Sequence, residues 1–383
     1  MTAKQLNRVR TTALVLLIFL FLLICVYVLS GAWQRGARYP LYRLSSPHEI
    51  GMNYEEQTGE NSTPSLSRYA NFKGDFREQR YLLPEDDIPA PALRVYTADA
   101  ILDVFLDGKE LLSYGTPQLE AYSFVPGGYH LVTLPEDSAG SELTIRYTAT
   151  AGHTELFPGT PLYGNLQDIV SFWVSETRIV VYAGIFLCLF GFLLTSLWFL
   201  MRQSSGEDPQ MFFAGLIAFL TGLYTLCRHD ALFFFTNSCT LRTYIESFTQ
   251  LLFPVLIALF LRLLAHDLIE QRLFFFCAMI AAALAVIVVM LQFLRIVPLT
   301  TGMRAARIGF IGVNLVLFVA GVRILRRWFL QFRRLRASAL QDAPTAGHTG
   351  NLLLLSGILF LTLAMLADVL FEFFDITPGE DRI

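Results

Sequence analysis

From Ile179 to Phe374 the chain reads as six successive apolar runs of about twenty residues separated by short polar connections. Residues 34–172 instead show apolar positions in short runs among polar ones. A run of about 18 or more apolar residues matches the roughly 30 Å hydrocarbon core of a bilayer, and only a helix satisfies its own backbone there. The runs predict helices at about 178–201, 210–228, 244–264, 272–294, 306–325 and 351–374. A seventh run, Ala13 to Leu29, follows Lys4, Arg8 and Arg10 and exceeds the usual apolar length of a cleaved signal, which predicts a signal-anchor helix over 1–33. Ser30-Gly31-Ala32 supplies small residues for cleavage, the other reading, and both put Trp33 onward outside.

Between the anchor and the bundle, the short runs carry a strand signature. Leu93 to Thr97, Ile101 to Leu106 and Lys109 to Tyr114 are β-rich, and Asp107-Gly108 between the last two is a two-residue hairpin signal. Further strands are expected at Tyr129 to Leu134 and Leu143 to Thr148, and strands at this spacing without helical period predict an antiparallel sandwich. Tyr39 to Asp75, rich in Ser, Asn, Gly and Glu, reads as partly a long surface loop. The predicted architecture is thus an anchor (1–33), an extracellular all-β, jelly-roll-like sandwich (34–172), a six-helix membrane bundle (173–376) and a short tail (377–383).

Charge placement orients these elements. The connection from Arg323 to Gly350 holds Arg323, Arg326, Arg327, Arg333, Arg334 and Arg336, and agrees with the N-terminal cations in marking the inner side. This predicts a multi-pass protein of the cell membrane with a cytoplasmic N-terminus and residues 34–172 extracellular. Asp208-Pro209 has the form of a helix start, Pro254 is expected to kink its helix, and the pairs Gly184/Gly191 and Gly215/Gly222 offer small faces for close packing.

Composition supports the class. Of 383 residues, 54% are hydrophobic and only 16% charged, too apolar for a soluble chain of this size. The net charge of −3, with cations confined to a few loops, implies no nucleic-acid partner. Cys25, Cys188 and Cys277 lie in apolar runs as small hydrophobes, while Cys227 and Cys239 flank an outer loop and are a candidate disulfide.

No catalytic constellation, metal set or cofactor motif stands out, so no enzyme activity, metal or cofactor is expected. The informative charges are Arg228, His229, Asp230, Glu246, Arg304, Arg307, Asp368 and Glu372, which the topology brings to one level near the outer interface. Ionisable groups at membrane depth are costly unless paired or wetted, so Asp368 is expected to meet a cation such as Arg307. The set reads as a ligand-binding polar ring or as interfacial charges around a structural ion pair. Tyr122, Phe124 and Tyr129 surround Pro126-Gly127-Gly128 as a candidate aromatic platform for a sugar face or as sandwich core. Expected partners are membrane lipids, a small-molecule ligand outside, a cytoplasmic signalling partner at the Arg323 to Arg336 loop, and a second copy of the chain.

Leu93 to Thr97 followed by Ile101-Leu-Asp-Val-Phe-Leu-Asp-Gly-Lys resembles the hairpin of galactose-binding-like jelly rolls, and Pro158 to Ile169 is similar to the segment that leaves such a domain towards the membrane. With many helices following, the whole resembles bacterial seven-transmembrane receptors with diverse intracellular signalling modules. The resemblance implies an extracellular sensory domain that binds a small, carbohydrate-like ligand and a bundle that relays the signal. That family carries seven helices after the ectodomain and then an output module, whereas six helices and a few residues follow here. The expectation is a truncated or divergent member, or one acting through a separate partner. A transporter or an accessory subunit of an export system is the alternative, although Asn314 is nearly alone as a polar residue in the middle thirds of the helices.

Overall fold

The computed structural model describes residues 38–44, 48–52, 69–70, 74–150, 154–155, 160–205, 209–234, 236, 238–265, 267–338, 355–357, 359–363 and 366–367. The expected anchor helix, Cys25, Asp208, Asp368, Glu372 and the tail lie outside these residues. Two compact units emerge, one of Met1–Phe186 with Thr225–Glu246, the other of Leu187–Tyr224 with Ser247–Ile383.

The first unit contains a two-sheet antiparallel sandwich. Strands β1 (Tyr42–Arg43), β5 (Pro91–Thr97), β8 (Gly128–Thr133) and β11 (Leu162–Asn165) form one sheet in the order β1-β11-β5-β8. Strands β2 (His48–Met52), β4 (Phe76–Leu82), β6 (Ala100–Leu106), β7 (Lys109–Tyr114) and β9 (Glu142–Ala149) form the other, in the order β2-β4-β9-β6-β7. A small ribbon pairs β3 (Tyr69–Ala70) with β10 (Thr154–Glu155), and a short helix α1 (Thr116–Tyr122) follows β7. Strand alternation builds the core. Along β6 every second residue is buried, so Leu102 and Val104 point inward beside Ile145 and Tyr147 of β9. They meet Leu93, Val95, Val132 and Tyr163 of the facing sheet, each such side chain contributing about 1.5–3 kcal/mol on burial.

The hairpin expected at Asp107-Gly108 is present. Asp107 and Gly108 have φ of 48° and 78°, the positive values that match this turn to the twist of β6 and β7. The five predicted strands lie within a residue or two of their expected bounds, and the supposed surface loop before Asp75 also supplies β1, β2 and β3.

Among the described residues, five helices are long and apolar enough to cross a membrane: α2 (Leu166–Ser205), α3 (Gln210–Arg228), α4 (Cys239–Leu264), α5 (Leu268–Phe293) and α6 (Leu299–Ser338). The protein is therefore a multi-pass membrane protein with a β-sandwich domain. The described residues of the run expected at 351–374 are helical. Several boundaries differ from expectation, the start of α5 at Leu268 instead of 272 and that of α6 at Leu299 instead of 306 among them. Helix α2 starts at Leu166 instead of 178, because its first turns carry Gln167, Asp168, Ser171 and Glu176 and so fall below a purely apolar pattern. Helix α4 starts at Cys239 instead of 244. Helix α6 covers Leu299–Ser338, so the arginines from Arg323 to Arg336 sit in a helix and not in a loop; arginine is a good helix former and neither glycine nor proline interrupts them.

In the second unit, close approach of helices occurs at glycines. A β-carbon at Gly191 of α2 would strike the backbone of Gly215 and Phe219 of α3, so these small positions do pack together. Helices α5 and α6 pack with Leu284 and Val288 against Gly309 and Gly302.

Candidate functional site

The most densely polar arrangement in the first unit lies where the sandwich meets helix ends. Strand β11 ends at Asn165 and α2 begins at the next residue, with no intervening loop. Asn165 makes that junction: its Oδ1 accepts from the backbone N–H groups of Gln167 (2.9 Å) and Asp168 (3.4 Å), while its Nδ2 donates to the Pro89 carbonyl. The Asp168 carboxylate in turn accepts from the N–H groups of Arg38 and Tyr39 at 3.0 and 2.8 Å, and an anion in the first turn suits the helix dipole. About two turns further, Arg94 of β5 reaches Glu176 at 3.2 Å and lies over the rings of Tyr129 (4.8 Å) and Trp173 (5.7 Å). Trp173 itself is fully buried. A stacked guanidinium held by a carboxylate fixes the azimuth of the helix as well as its position.

The second group of contacts comes from the α3–α4 connection. After α3, Asp230 adopts φ of 55°, a left-handed residue that turns the chain into the short 3-10 turn Ala231–Phe234 before α4. Its buried carboxylate forms an ion pair with Arg242, itself buried in the first turn of α4. Arg242 also donates from Nη2 to the carbonyl of Gly127 in the loop before β8. The glycines there are required by proximity. A β-carbon on Gly128 would lie 3.0 Å from Arg242 Nη2 and from Cys239 Sγ, and one on Gly127 would lie 2.9 Å from the Thr97 carbonyl. A small cleft remains beside this pair, lined by Tyr129, Trp173, Asp230, Phe233, Cys239 and Arg242.

The surrounding side chains are desolvated. Tyr96, which meets Tyr129 edge-on at 4.9 Å, has its hydroxyl pKa pushed up to about 12 by burial. Burial likewise raises that of Tyr114, which donates to the Pro126 carbonyl at 2.9 Å. His130 packs on Tyr114 with ring centroids 4.1 Å apart, and burial, reinforced by the Arg242 charge, brings its pKa down to about 4. It is a neutral ring at neutral pH.

Of the charges singled out in the sequence, Arg228, His229, Asp230 and Glu246 come together in this unit, with Arg228 and Glu246 paired at 3.6 Å. Arg304 and Arg307 lie in the early turns of α6, in the other unit. Tyr122, Phe124 and Tyr129 do not share one open platform. Phe124 is buried and packs with Tyr122 around Tyr244 of α4, while Tyr129 faces Trp173 at 5.2 Å. Each set of rings packs against a helix residue, although Tyr122 itself stays 37% exposed. The disulfide expected between Cys227 and Cys239 is absent: both are free thiols, Cys227 buried at the end of α3 and Cys239 hydrogen-bonded with Tyr114. Arg242 and Trp173, central to the arrangement, escape a sequence reading because each sits in a helix start whose polar residues read as part of the preceding connection. The unusual signal is a lone arginine in the first turn of a membrane helix, where burial demands a partner.

Neither a scan of protein-family models nor a search among curated proteins finds a match to this chain.

Proposed function

We propose that this chain is a membrane receptor of the kind its sequence resembles, the bacterial seven-transmembrane receptors with signalling modules, and that it binds and relays instead of catalysing. In this reading the sandwich lies outside the cell and takes a small, carbohydrate-like ligand. The helices pass its movement to a cytoplasmic partner. The observation that carries the proposal is the loop-free passage from β11 into α2, reinforced by Arg94 and by the Arg242 contacts of α4. A flexible tether would let the sandwich bind without consequence for the helices, whereas a strand continued as a helix transmits any shift of the sheet edge. Packing of Phe124 and Tyr122 on Tyr244 and of Tyr129 on Trp173 favours the loops at the far edges of the sheets as the ligand-accepting surface.

Two measurements test it. A phosphatase reporter fused after Thr150 is expected to be active only outside the cytoplasm, and one fused after Ser338 only inactive there; the opposite pattern refutes the receptor orientation. With the orientation established, a thermal-shift screen of the full chain against a sugar panel is expected to produce a hit. That hit should slow thiol labelling at a cysteine introduced in place of Ser238, in the α3–α4 connection. A ligand that stabilises the sandwich and leaves labelling unchanged refutes the relay.

A further inference from the structure

We propose that the last turns of α6 form a docking face for anionic phospholipid headgroups. Helix α6 has 40 residues, so at about 1.5 Å per residue it is roughly 60 Å long, twice the hydrocarbon thickness. Its apolar span ends at Leu330, and from Arg323 to Ser338 there are six arginines and not one Asp or Glu. At about 100° per residue, positions 323, 326, 327, 333 and 334 fall within an arc of roughly 120°, and 324, 325, 328, 329, 332 and 335, all apolar, fill the opposite arc. Arg336 and Leu330 depart from this division.

The side chains that begin this stretch follow the same division. Ile324 is buried against the bundle, while Arg323 and Arg326 are exposed. Phe329 and Leu330 remain 54% and 43% exposed beside them, apolar groups at the same level as the cations. The nearby carboxylates at this end of the unit are engaged. Glu270 pairs with Arg327, and Asp267 caps α5 by accepting from the Ile269 N–H at 3.1 Å. Arg262 adds a further cation over the Phe275 ring at 4.8 Å. The result is a row of arginine positions along one side of a helix whose preceding turns cross the bilayer, with Arg323 and Arg326 exposed beside Phe329 and Leu330. A soluble acidic protein would match the charge and leave Phe329 and Leu330 in water. The headgroup layer accommodates both, with phosphodiesters taking bidentate guanidinium bonds and acyl chains meeting the rings. This proposal needs only the membrane span, and it stands whether or not the sandwich binds a sugar.

The test uses the purified full chain in neutral detergent, exposed to equal amounts of phosphatidylglycerol and phosphatidylcholine, with bound lipid counted by native mass spectrometry. Preference for phosphatidylglycerol is expected, weakening as salt rises. The variant R323Q/R326Q/R333Q/R334Q is expected to bind phosphatidylglycerol at least about tenfold more weakly, since each interfacial cation contributes close to fivefold. The corresponding lysine variant should retain most of the preference, and an unchanged melting profile in phosphatidylcholine shows that both variants fold. Equal retention of the two lipids, or a glutamine variant that keeps the preference, overturns the proposal. Inorganic phosphate that abolishes lipid binding at millimolar concentration would assign the face to a soluble anion and overturn it too.

Discussion

Replacing Arg242 by methionine keeps the length of the side chain and removes its charge, leaving the Asp230 carboxylate buried without its cation. Both partners are desolvated, with side chains 11% and 9% exposed, so the pair behaves as a buried salt bridge and not as a surface one. Removing one partner of such a pair costs about 3–5 kcal/mol, most of it the penalty on the charge left behind. The lost bond to the Gly127 carbonyl is included in that loss of anchoring and is not added to it. Three kcal/mol corresponds to a roughly 150-fold larger opening constant for the contact between α4 and the loop before β8. Hydrogen exchange on the full chain in detergent reads this directly, at Gly127, Gly128 and the first turn of α4. The informative control is Arg242→Met combined with Asp230→Asn, because asparagine tolerates the left-handed backbone at position 230 and carries no charge. If the buried charge is the cause, the double variant recovers most of the protection. Wild-type exchange in the single variant, or a double variant no better protected than the single, would refute the reasoning.

The other predictions address the supports of the same fold. His130, held low by burial and by Arg242, stays neutral down to about pH 4 in the folded chain, while the unfolded chain takes up its proton near 6.5. Its contribution is thus fully present above pH 6.5 and is lost as pH falls towards 4, on the order of 3 kcal/mol in all; His130→Phe should flatten the melting temperature across that window, and an unchanged slope would place the titration elsewhere. Asn165→Ala removes the cap of α2 and is expected to destabilise the chain by about 1–2 kcal/mol in thermal melts, with faster exchange confined to the N–H groups of Gln167 and Asp168. Gly191→Val drives a side chain into the backbone of α3 and should lower the melting temperature sharply, whereas Gly312→Ala, whose added methyl meets nothing within 4 Å, should not. Equal melting of those two variants would remove the α2–α3 contact from the account.

Short-range physics is what the sequence makes legible. The Asp107-Gly108 turn requires two positive φ values, and the flanking alternation fixes which face of β6 is buried, so that hairpin follows from fewer than fifteen consecutive residues. The membrane spans follow from composition over about twenty residues, and positions 191 and 215 from the need of small side chains where helices touch. What escapes is pairing across long separations. Arg242 meets a carbonyl 115 residues away, and Arg94 meets Glu176 across 82. Nothing near Arg242 in the chain announces Gly127. The start of α2 escapes for a related reason: its first turns face the sandwich with Asp168 and Trp173, so their polarity reports contact with protein instead of exit from the helix.

The disulfide and the aromatic platform fail on the same ground, and the failure is informative. Both readings treat the α3–α4 connection and the Pro126-Gly127-Gly128 loop as free outer surface, available to an oxidant or a sugar. They are instead partners of each other. Gly127 and Gly128 have no room for a side chain because Arg242, Cys239 and the β5–β6 turn stand where one would go, and Phe124 and Tyr122 close around Tyr244. On the receptor reading proposed above, a glycine-rich loop that grips helix ends serves transmission and not recognition. Arg228 with Glu246 and Asp230 with Arg242 each tie the chain at the end of α3 to the early turns of α4. Such ties are weak springs when exposed and rigid pins when buried. Burial of Asp230 and Arg242 makes their pair the pin, and exposure of Arg228 makes its pair with Glu246 the one more readily exchanged for water.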